Sequence, residues 1–570
     1  MKEIETEVLV IGSEGAGAKA SIEAQEEGAE VLVVTKGLSG RSGSTVMAGG
    51  RIQAPLGEAD PRDNANIFFE DVIKGGDYLN NQNLVDRMVK LAVTEVPKLE
   101  LWGAKFMKKD GKFEQVQHPD SSYPRSLRLA GVHGGLQYRV AMNAQYRRLN
   151  TKILEDLFVT SLLTSSDQVA GAFGISLRDG QFVVVKAKNV ILATGGSSEI
   201  YRKTDASHDA TGDGMVLAYN AGADLMDMEF HQFLPFCCYE PLFEMSGLTT
   251  RLRYCLHGKL YNRIGEAFME RYLPSYGDWG PRNATSRAIY LEHMYGRGSP
   301  RGGAYLSFSH LPENLINDYI EREKPGFIDD LKKAGIEIQR RALECGPAAH
   351  YSMGGIRVNE YCATSLPRLY ACGEVAAGMD GAERIDGGTA LTWCLTMGYI
   401  AGKEAAKMAK ELDWLSIDNK QVSEEERRVS SLLERREGIK AFEIKNKLKD
   451  IMWNYCSLVK DRGGLETALG LIQKIRSEDL PLLCVPSSSK TFNRGWTEAL
   501  EVVNMIELSE MAIRASLMRE ESRGAHYRSD FPRRDNPKWL KNIIIKKEEV
   551  GMTFSTAAPV LTRLRPLERD

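Results

Sequence analysis

Residues 8–17 constrain the fold most strongly, because an apolar strand there runs straight into a glycine turn and an alanine-rich helix. At such a turn, backbone N–H groups and the helix N-terminus face a pyrophosphate, provided that small residues let the backbone come close. Gly12 and Gly17 hold the outer positions of a G-x-G-x-x-G fingerprint. Glu14 stands where the middle glycine belongs, with Gly15 beside it. The segment predicts the first strand and helix of a doubly wound α/β sheet that binds a nucleotide.

Two distant segments carry further signals of the same nucleotide site. Residues 190–196 read as a strand that ends in Ala-Thr-Gly-Gly, and residues 369–374 as a short strand that ends in Gly-Glu. A simple NAD site has a ribose-binding acid about 20 residues after the glycine turn, whereas this chain has Lys36 there. The order and spacing of the three segments therefore favour a flavoenzyme.

Length and composition exclude several classes of protein. A chain of 570 residues exceeds what one hydrophobic core supports, so we expect several lobes. A formal net charge of -3, with both signs interspersed, offers no basic field for nucleic acid. No stretch approaches the roughly 18 apolar residues of a membrane span, and no signal segment opens the chain, so we expect a cytoplasmic protein. Nine cysteines without C-x-x-C spacing predict no metal cluster of the chain's own.

Changes in periodicity divide the chain into four parts. Strands and helices alternate over residues 1–230 and again over 346–415, which predicts a discontinuous nucleotide-binding domain. Between them, residues 231–345 are rich in Gly, Pro, Tyr and Arg and read as an inserted cap. Charged segments with helical spacing over 416–530 predict a helical bundle, and residues 531–570 read as a tail wrapped over the other lobes.

The same patterns predict individual elements. A long helix over residues 389–412 closes the nucleotide-binding domain, and the helices of the bundle cover residues 423–446, 464–476 and 496–519. Residues 182–193 resemble a strand pair that returns the chain to the sheet. We find no internal repeat or low-complexity region.

Arginines beside glycine-rich turns predict an anionic substrate. Arg282 ends a Gly-Pro-Arg turn and Arg384 ends a Gly-Ala-Glu-Arg turn, while His350 begins the segment His-Tyr-Ser-Met-Gly-Gly. Residues 248–254 supply two further arginines. Guanidinium forks grip carboxylates at two points, and a histidine at the mouth of a site adds another donor.

Ordered motifs lie along nearly the whole chain, at residues 75–77, 99–103, 193–196, 211–214, 227–230, 280–282, 350–355 and 521–526. Through them the chain resembles the flavoprotein subunit of the succinate dehydrogenase and fumarate reductase family, which includes L-aspartate oxidase and the adenylylsulfate reductase α-subunit. The resemblance implies an α/β FAD-binding Rossmann-like (glutathione-reductase-like) domain. It also implies an inserted α+β capping domain that closes over the substrate, and a C-terminal helical bundle.

The resemblance also implies that FAD binds as the cofactor and lies across the sheet. Many family members bind FAD covalently through a histidine, and this chain has Gly43 at that position. We therefore expect noncovalent FAD, which leans the direction of the reaction toward reduction. The expected cofactor-binding residues are Gly12, Glu14, Gly15, Gly17, Lys36, Ser42, Gly43, Ser44, Gly49, Gly50, Ala193, Thr194, Gly195, Asp213, Gly373, Glu374, Thr389 and Leu391.

The resemblance also implies roles for the anion-binding residues. The arginine that matches Arg282 delivers a proton to one carbon of the substrate while the flavin gives hydride to the neighbouring carbon. His350 and Arg384 match residues that clamp substrate carboxylates, and Thr250 and Tyr254 are further expected substrate contacts. Arginine is so weak an acid that it protonates only a strongly basic centre, such as a carbanion next to a carboxylate.

Three departures from the family pattern alter that site. Leu234 replaces a carboxylate-binding histidine, and His231 or His257 is a candidate to take over its role. Arg251 stands where a glutamate begins the family's proton relay, so that relay does not run unchanged and Arg251 becomes a candidate catalytic residue. The turn over residues 385–390 reads Ile-Asp-Gly-Gly-Thr-Ala, where a Ser-Asn-Ser type of turn is common.

The resulting hypothesis is an FAD-dependent flavoprotein subunit of a fumarate reductase or succinate dehydrogenase-like complex. It would transfer hydride between flavin and an unsaturated or saturated dicarboxylate and exchange electrons with an iron–sulfur partner subunit. Through partner subunits it would lie at the inner face of a membrane. One alternative is an adenylylsulfate reductase-like α-subunit, which residues 41–43 and 169–178 favour. Another is an electron-relay subunit without a small-molecule substrate, which Leu234 and Arg251 favour.

Overall fold

A central sheet of seven strands organises the computed structural model, which describes residues 1–131, 134–323 and 327–567. Six of its strands lie in the spatial order Lys152–Leu154, Val31–Val34, Lys2–Ile11, Phe182–Leu192, Gln168–Ser176 and Leu157–Ser165, and Leu369–Ala371 pairs with the end of Phe182–Leu192. The first four and Leu369–Ala371 are parallel, whereas the last two are antiparallel. The helices that share the core of this sheet are Gly15–Glu26, Ala65–Gly75, Gln82–Leu101, Gly135–Leu149, Asp213–Asn220 and Thr389–Glu411.

Glycines allow two of these helices to pack unusually closely. A Cβ atom at Gly398 would lie 2.6 Å from the Ala16 carbonyl oxygen, and one at Gly402 would lie 2.2 Å from the Ala20 carbonyl oxygen. Helix Thr389–Glu411 therefore presses its backbone against helix Gly15–Glu26, which follows the first strand.

The expected strand pair over residues 182–193 is wrong, because the structure has one strand of 11 residues, Phe182–Leu192. Its first half pairs with the antiparallel strand Gln168–Ser176 and its second half with the parallel strand Leu369–Ala371. The polar Asn189 of this strand is buried and donates its side-chain amide to the Ala405 carbonyl oxygen at 2.8 Å.

The cap contains a four-stranded antiparallel sheet in the order His231–Cys238, Leu343–Ser352, Ala304–Ser307 and Lys259–Tyr261. Helix Arg282–Met294 packs on His231–Cys238, and Ser286 of that helix donates a hydrogen bond to the Phe233 carbonyl oxygen at 2.8 Å. The other helices of the cap are Leu248–Leu256, Met269–Tyr272, Glu313–Glu323 and Phe327–Lys333.

Four long helices dominate the C-terminal region: Asn419–Ser431, Ala441–Tyr455, Arg462–Lys474 and Arg494–Met518. The helix expected over residues 423–446 is broken in two. Gly438 lies in the break with a φ of +142°, and a Cβ atom there would lie 2.2 Å from the Leu482 carbonyl oxygen. The buried indole of Trp496 joins the first helix to the last by donating to the Val429 carbonyl oxygen at 2.8 Å.

The tail adds a strand pair to a second sheet, whose order is Ala376–Ala377, Gly355–Arg357, Leu225–Met226, Asn542–Glu548 and Gly551–Ala557. Buried Asp227 anchors the tail, because its carboxylate accepts hydrogen bonds from the Asn542 amide and from the backbone N–H of Ile543, at 2.6 and 2.8 Å.

Short elements complete the structure. Three further strands, Arg51–Gln53, Ser126–Arg128 and Gln115–Val116, form one small sheet, and the pairs Lys108–Lys109 with Lys112–Phe113 and Ile439–Lys440 with Leu483–Cys484 form two more. A short α-helix covers Asn536–Trp539, and single 3-10 or π turns cover Ser198–Ile200, Pro241–Phe243, Gly277–Trp279, Ile475–Asp479 and Leu480–Leu482. Over the described ranges, every helix is too short or too polar to cross a membrane.

Candidate active site

A cleft lies where the parallel strands of the central sheet end. At its base, a Cβ atom at Gly12 would lie 2.2 Å from the Ala193 carbonyl oxygen, and one at Gly17 would lie 1.9 Å from the Gly12 carbonyl oxygen. Only glycine fits either position, so the turn presents backbone to the cleft. Helix Gly15–Glu26 begins there and directs its N-terminus at the cleft. A pyrophosphate fits this combination of close backbone and helix N-terminus.

Most of the expected cofactor-binding residues line this cleft. Those in its wall are Gly12, Glu14, Gly15, Lys36, Ser42, Gly43, Ser44, Ala193, Thr194, Gly195, Asp213, Gly373 and Glu374. Gly17, Gly49, Gly50, Thr389 and Leu391 lie outside the wall, and their role stays a prediction. Among the described residues, neither the buried hydroxyl of Thr194 nor one buried carboxyl oxygen of Glu14 has a hydrogen-bond partner. Such polar atoms suit a bound dinucleotide, since buried polar groups are normally satisfied.

Glu14, in the middle-glycine position, shapes the wall of the cleft around Gly43. Burial raises the pKa of Glu14, whereas the nearby Arg139 lowers it. A Cβ atom at Gly43 would lie 2.7 Å from the Glu14 Cγ atom, and Gly43 has a φ of +82°. A histidine at position 43 would therefore require both a strained backbone and a displaced Glu14.

Lys36 is fixed by two carboxylates at the edge of the cleft. Its Nζ atom lies 2.9 Å from Asp213 and 2.8 Å from Glu501. Burial works against the ammonium, but these two partners raise the pKa of Lys36 above its ordinary value. Glu501 belongs to helix Arg494–Met518, so the C-terminal region contributes to the cofactor cleft, which no local sequence signal indicated.

Beyond the cleft, the structure brings Arg282 and Arg384 together around one amide. The Gln232 Oε1 atom accepts hydrogen bonds from Arg384 at 2.9 Å and from Arg282 at 3.3 Å. All three side chains are buried, and Arg384 lies over the ring of Tyr351. Burial and the charge of Arg282 lower the pKa of Arg384. Two adjacent buried cations form a strong site for an anion.

Asp386, which was not among the expected site residues, forms an ion pair with Arg282. It lies in the turn before helix Thr389–Glu411, and the Nδ1 atom of His118 is 3.5 Å from its carboxylate. The backbone N–H of Asp386 donates to the carboxylate of Asp120 at 3.1 Å. The unusual Ile-Asp-Gly-Gly turn was the one signal in the sequence that pointed to this acid.

His350 lies near the two arginines, on strand Leu343–Ser352. Its Nδ1 atom is 3.0 Å from both carboxyl oxygens of Asp205, which orients the ring. Burial lowers the pKa of His350, Asp205 opposes that shift, and Arg282 and Arg384 reinforce it. A neutral His350 is therefore favoured at neutral pH.

The departures from the family pattern have visible structural consequences. Leu234 packs in a small buried apolar cluster with Cys237, Tyr239 and Ala348. Its neighbour Gln232, two residues earlier on the same strand, lies between the arginines instead.

Neither candidate histidine occupies that position. His231 is buried, its Nε2 atom is 3.1 Å from the hydroxyls of Ser197 and Ser352, and burial lowers its pKa to about 3. His257 lies at the surface of the cap against the ring of Trp279, with 4.6 Å between centroids.

Helix Leu248–Leu256 carries the remaining expected site residues. The Thr250 hydroxyl donates to the Phe236 carbonyl oxygen at 2.7 Å, which ties the helix to strand His231–Cys238. The side chains of Arg251 and Tyr254 lie outside the described part of the structure.

Comparisons with known proteins agree with this architecture. The family described as "FAD binding domain" matches residues 7–390, and the family described as "Fumarate reductase flavoprotein C-term" matches residues 445–570. The chain is 37% identical to one of the subunits of fumarate reductase (CoM/CoB) from Methanothermobacter marburgensis, across 95% of this chain and 97% of that relative.

Solved structures show the same relationship. Quinol fumarate reductase FrdA of E. coli superposes with a TM-score of 0.92 at 26% identity, covering 100% of this chain and 99% of that one. Adenylylsulfate reductase of Archaeoglobus fulgidus superposes with a TM-score of 0.81 at 22% identity, covering 99% and 97%, a likeness that shows the fold alone. The chain therefore belongs to the family of fumarate reductase and succinate dehydrogenase flavoprotein subunits, and it is an FAD-dependent oxidoreductase.

Proposed function

We propose that this chain is the flavoprotein subunit of a fumarate reductase-like complex and reduces an unsaturated dicarboxylate of the fumarate type. The observation that carries the proposal is the pair of buried guanidinium groups of Arg282 and Arg384, which converge on one oxygen atom of Gln232. A site that only relays electrons does not need two buried cations, because burying them costs free energy. Asp386 offsets the charge of Arg282, and an anionic ligand would offset that of Arg384. The pair therefore argues against the electron-relay alternative.

Carboxylate binding follows from the position of Gln232. Its amide oxygen is a neutral acceptor shared by both guanidinium groups. A substrate carboxylate placed nearby would be the stronger acceptor, because charge-assisted hydrogen bonds are shorter and roughly twice as strong as neutral ones. The half-buried imidazole of His350 donates its Nδ1–H to Asp205, so its Nε2 atom adds a donor at the mouth only in the imidazolium form, which a bound substrate carboxylate would stabilise.

When bound, FAD supplies the hydride that is added to one carbon of the double bond. The positive charges of Arg282 and Arg384 favour the negative charge that then develops beside the substrate carboxylate. Arg282 supplies the proton to the neighbouring carbon, since that centre is basic enough to deprotonate a guanidinium group. Arg384, stacked on Tyr351, holds a carboxylate and fixes which carbon faces which donor.

The surroundings of Gly43 support noncovalent FAD and thus reduction as the physiological direction. Position 43 carries no nucleophilic side chain, and Glu14 fills the space beside it. Electrons then reach the flavin from a separate protein, for which we propose an iron–sulfur subunit. In support, the nine cysteines lack the spacing of cluster ligands, and the M. marburgensis relative is named as one subunit of an enzyme.

An anaerobic reoxidation experiment tests the proposal. The purified protein is loaded with FAD, reduced chemically and mixed with fumarate while flavin absorbance is recorded. We expect rapid reoxidation that Arg282→Ala slows by at least about 100-fold, the usual scale for losing a positioned acid. The matched control is Arg263→Gln, which removes the charge of an exposed arginine of the cap. This variant should react like the wild type. If fumarate fails to reoxidise the wild-type flavin, the proposed substrate is wrong.

A further inference from the structure

Arg282 needs a source of protons, because each turnover under the proposed function leaves it as a neutral guanidine. The Asp386 carboxylate forms an ion pair with one of its Nη atoms. Asp386 is only 2% exposed. An acid held against a guanidinium group in a buried site is well placed to return a proton to it.

The turn that carries Asp386 is held rigidly. Gly387 and Gly388 have φ values of +97° and +105°. A Cβ atom at Gly387 would lie 2.4 Å from the side-chain nitrogen of Gln53, and one at Gly388 would lie 2.3 Å from the backbone of Arg51. In addition, the Gln53 amide donates to the Asp386 carbonyl oxygen at 2.5 Å. This packing fixes Asp386 between Arg282 on one side and Asp120 on the other.

Asp120 lies between the backbone of Asp386 and an outer cleft. It is half-buried, accepts the backbone N–H of Asp386 at 3.1 Å, and lines an outer cleft together with Asp77 and the exposed Lys74. Burial first, and then the negative charge of Asp386, raise the pKa of Asp120 to about 6. A carboxyl group with a pKa near neutrality, at the junction of a cleft and a buried acid, both takes up and releases protons readily.

The surrounding charges are consistent with a path for protons. Asp386 faces Arg282 and His118, and burial keeps the pKa of His118 low although Asp386 raises it. The charged groups that act on Asp120 are Asp386, Arg282 and Arg384, and Asp120 in turn raises the pKa of the buried Glu383.

We propose that Asp386 reprotonates Arg282 and that Asp120 feeds Asp386 with protons from the outer cleft. The inference rests on the proposed function and extends it. In each turnover the double bond gains a hydride on one carbon and the Arg282 proton on the other. The Asp386 carboxylate then takes a proton from the Asp120 carboxylic acid and passes it to the neutral guanidine, which restores the ion pair with Arg282. Asp120 regains a proton from the outer cleft. Two electrons and two protons thus convert fumarate to succinate. The path approaches Arg282 from the outer cleft, and neither carboxyl group belongs to the helix that carries Arg251.

The test compares the first turnover with continuous turnover in Asp386→Asn. Arg282 begins protonated, so we expect the reduced flavin of this variant to be reoxidised by fumarate in a single turnover within about threefold of the wild-type rate. With a reduced viologen as continuous electron donor, its steady-state rate should fall by about 100-fold. Formate, as a small diffusible acid, should restore part of that loss. If the first turnover slows as much as the steady state, Asp386 has a structural role and the relay is wrong.

Two further variants locate the entrance of the path. We expect Asp120→Asn to lower the steady-state rate about tenfold and to remove the decline in rate that the wild type shows as the pH rises through about 6. Asp77→Asn is the matched control, because that carboxylate lines the same outer cleft but pairs with Arg534. It should leave both rates unchanged. An equal loss in Asp77→Asn would overturn the role of Asp120.

Infrared spectroscopy gives a readout that is independent of catalysis. A carboxylic acid C=O band of the protein without substrate should titrate near pH 6 and disappear in Asp120→Asn. Failure of the relay is distinguishable from failure of the proposed function. If the wild type reduces fumarate and Arg282→Ala does not, but Asp386→Asn matches the wild type at steady state, the relay alone is wrong. If the wild type does not reduce fumarate, the proposed function and the relay fall together.

Discussion

Glu501, on helix Arg494–Met518 of the C-terminal region, lies 2.8 Å from the ammonium of Lys36 at the edge of the cofactor cleft. The two residues are separated by 465 positions in the chain. Since Lys36 also pairs with Asp213 on a helix of the central sheet's core, the C-terminal helices and the nucleotide-binding domain share one buried charge cluster.

Removing the ion pair between Glu501 and Lys36 should lower both the stability of the protein and its affinity for FAD. We expect Glu501→Gln to lower the free energy of unfolding by about 1–3 kcal/mol, because Lys36 keeps only one of its two carboxylates in a largely buried position. FAD binding should weaken with it. Urea unfolding and FAD titration measure the two effects. Glu498→Gln on the same helix removes an ion pair to the exposed Arg494 and should change stability by less than about 1 kcal/mol.

Restoring the family's histidine should not restore a covalent flavin. In Gly43→His the new side chain meets Glu14 Cγ at its Cβ atom and adopts a left-handed backbone, which costs roughly 1–2 kcal/mol for a residue other than glycine. We expect weaker FAD binding and no flavin retained after acid precipitation of the protein. Gly247→Ala, at a position with open space, is the control for replacing a glycine. Retained flavin fluorescence in the Gly43→His precipitate would contradict the expectation.

A carboxylate at position 232 should act as a built-in inhibitor. Gln232→Glu places a negative oxygen between Arg282 and Arg384, where it competes with the substrate for both guanidinium groups. We expect the KM for fumarate to rise at least about tenfold, equivalent to about 1.4 kcal/mol of binding free energy. Steady-state kinetics measures it, with Gln421→Glu on a C-terminal helix as the control. An unchanged KM would mean that Gln232 does not share the substrate's position.

Glu374 should make the stability of the FAD-free protein depend on pH. Burial raises its pKa from 4.5 to about 7. A carboxyl group with a raised folded-state pKa contributes stability that is fully present below the unfolded pKa and is lost as the pH rises through the folded pKa. We expect Glu374→Gln to exceed the wild type in stability by about 3 kcal/mol at pH 8, since one pKa unit corresponds to about 1.4 kcal/mol. At pH 4 that advantage should disappear. Urea unfolding at the two pH values provides the measurement.

Local patterns predicted much of the fold, because the relevant interactions are close in sequence. The strand, turn and helix that begin at residue 8 depend on glycines within ten residues, and helix Thr389–Glu411 was predicted within one residue. The break between Asn419–Ser431 and Ala441–Tyr455 was missed, because Gly438 acts through a contact with the distant Leu482.

The candidate site was predicted in part for the same reason. Arg282 and Arg384 stand beside glycine turns that mark them in the sequence, and the structure brings them to one point. Asp386 also stands beside a glycine turn, but that turn is notable only as a departure from the family pattern, and Gln232 carries no such mark. They acquire their roles only when a cap strand and the turn before a core helix meet, which depends on tertiary packing.

The close contact of helix Thr389–Glu411 with helix Gly15–Glu26 has a mechanical consequence. One helix starts a few residues after Arg384 and Asp386, and the other starts at the pyrophosphate turn. Since Gly398 and Gly402 lie directly against the backbone of the opposite helix, we expect the two helices to move together as a rigid unit. A shift of the helix that begins at the pyrophosphate turn should therefore also shift the helix that follows Arg384 and Asp386. FAD binding and the affinity for the substrate carboxylate should accordingly be coupled.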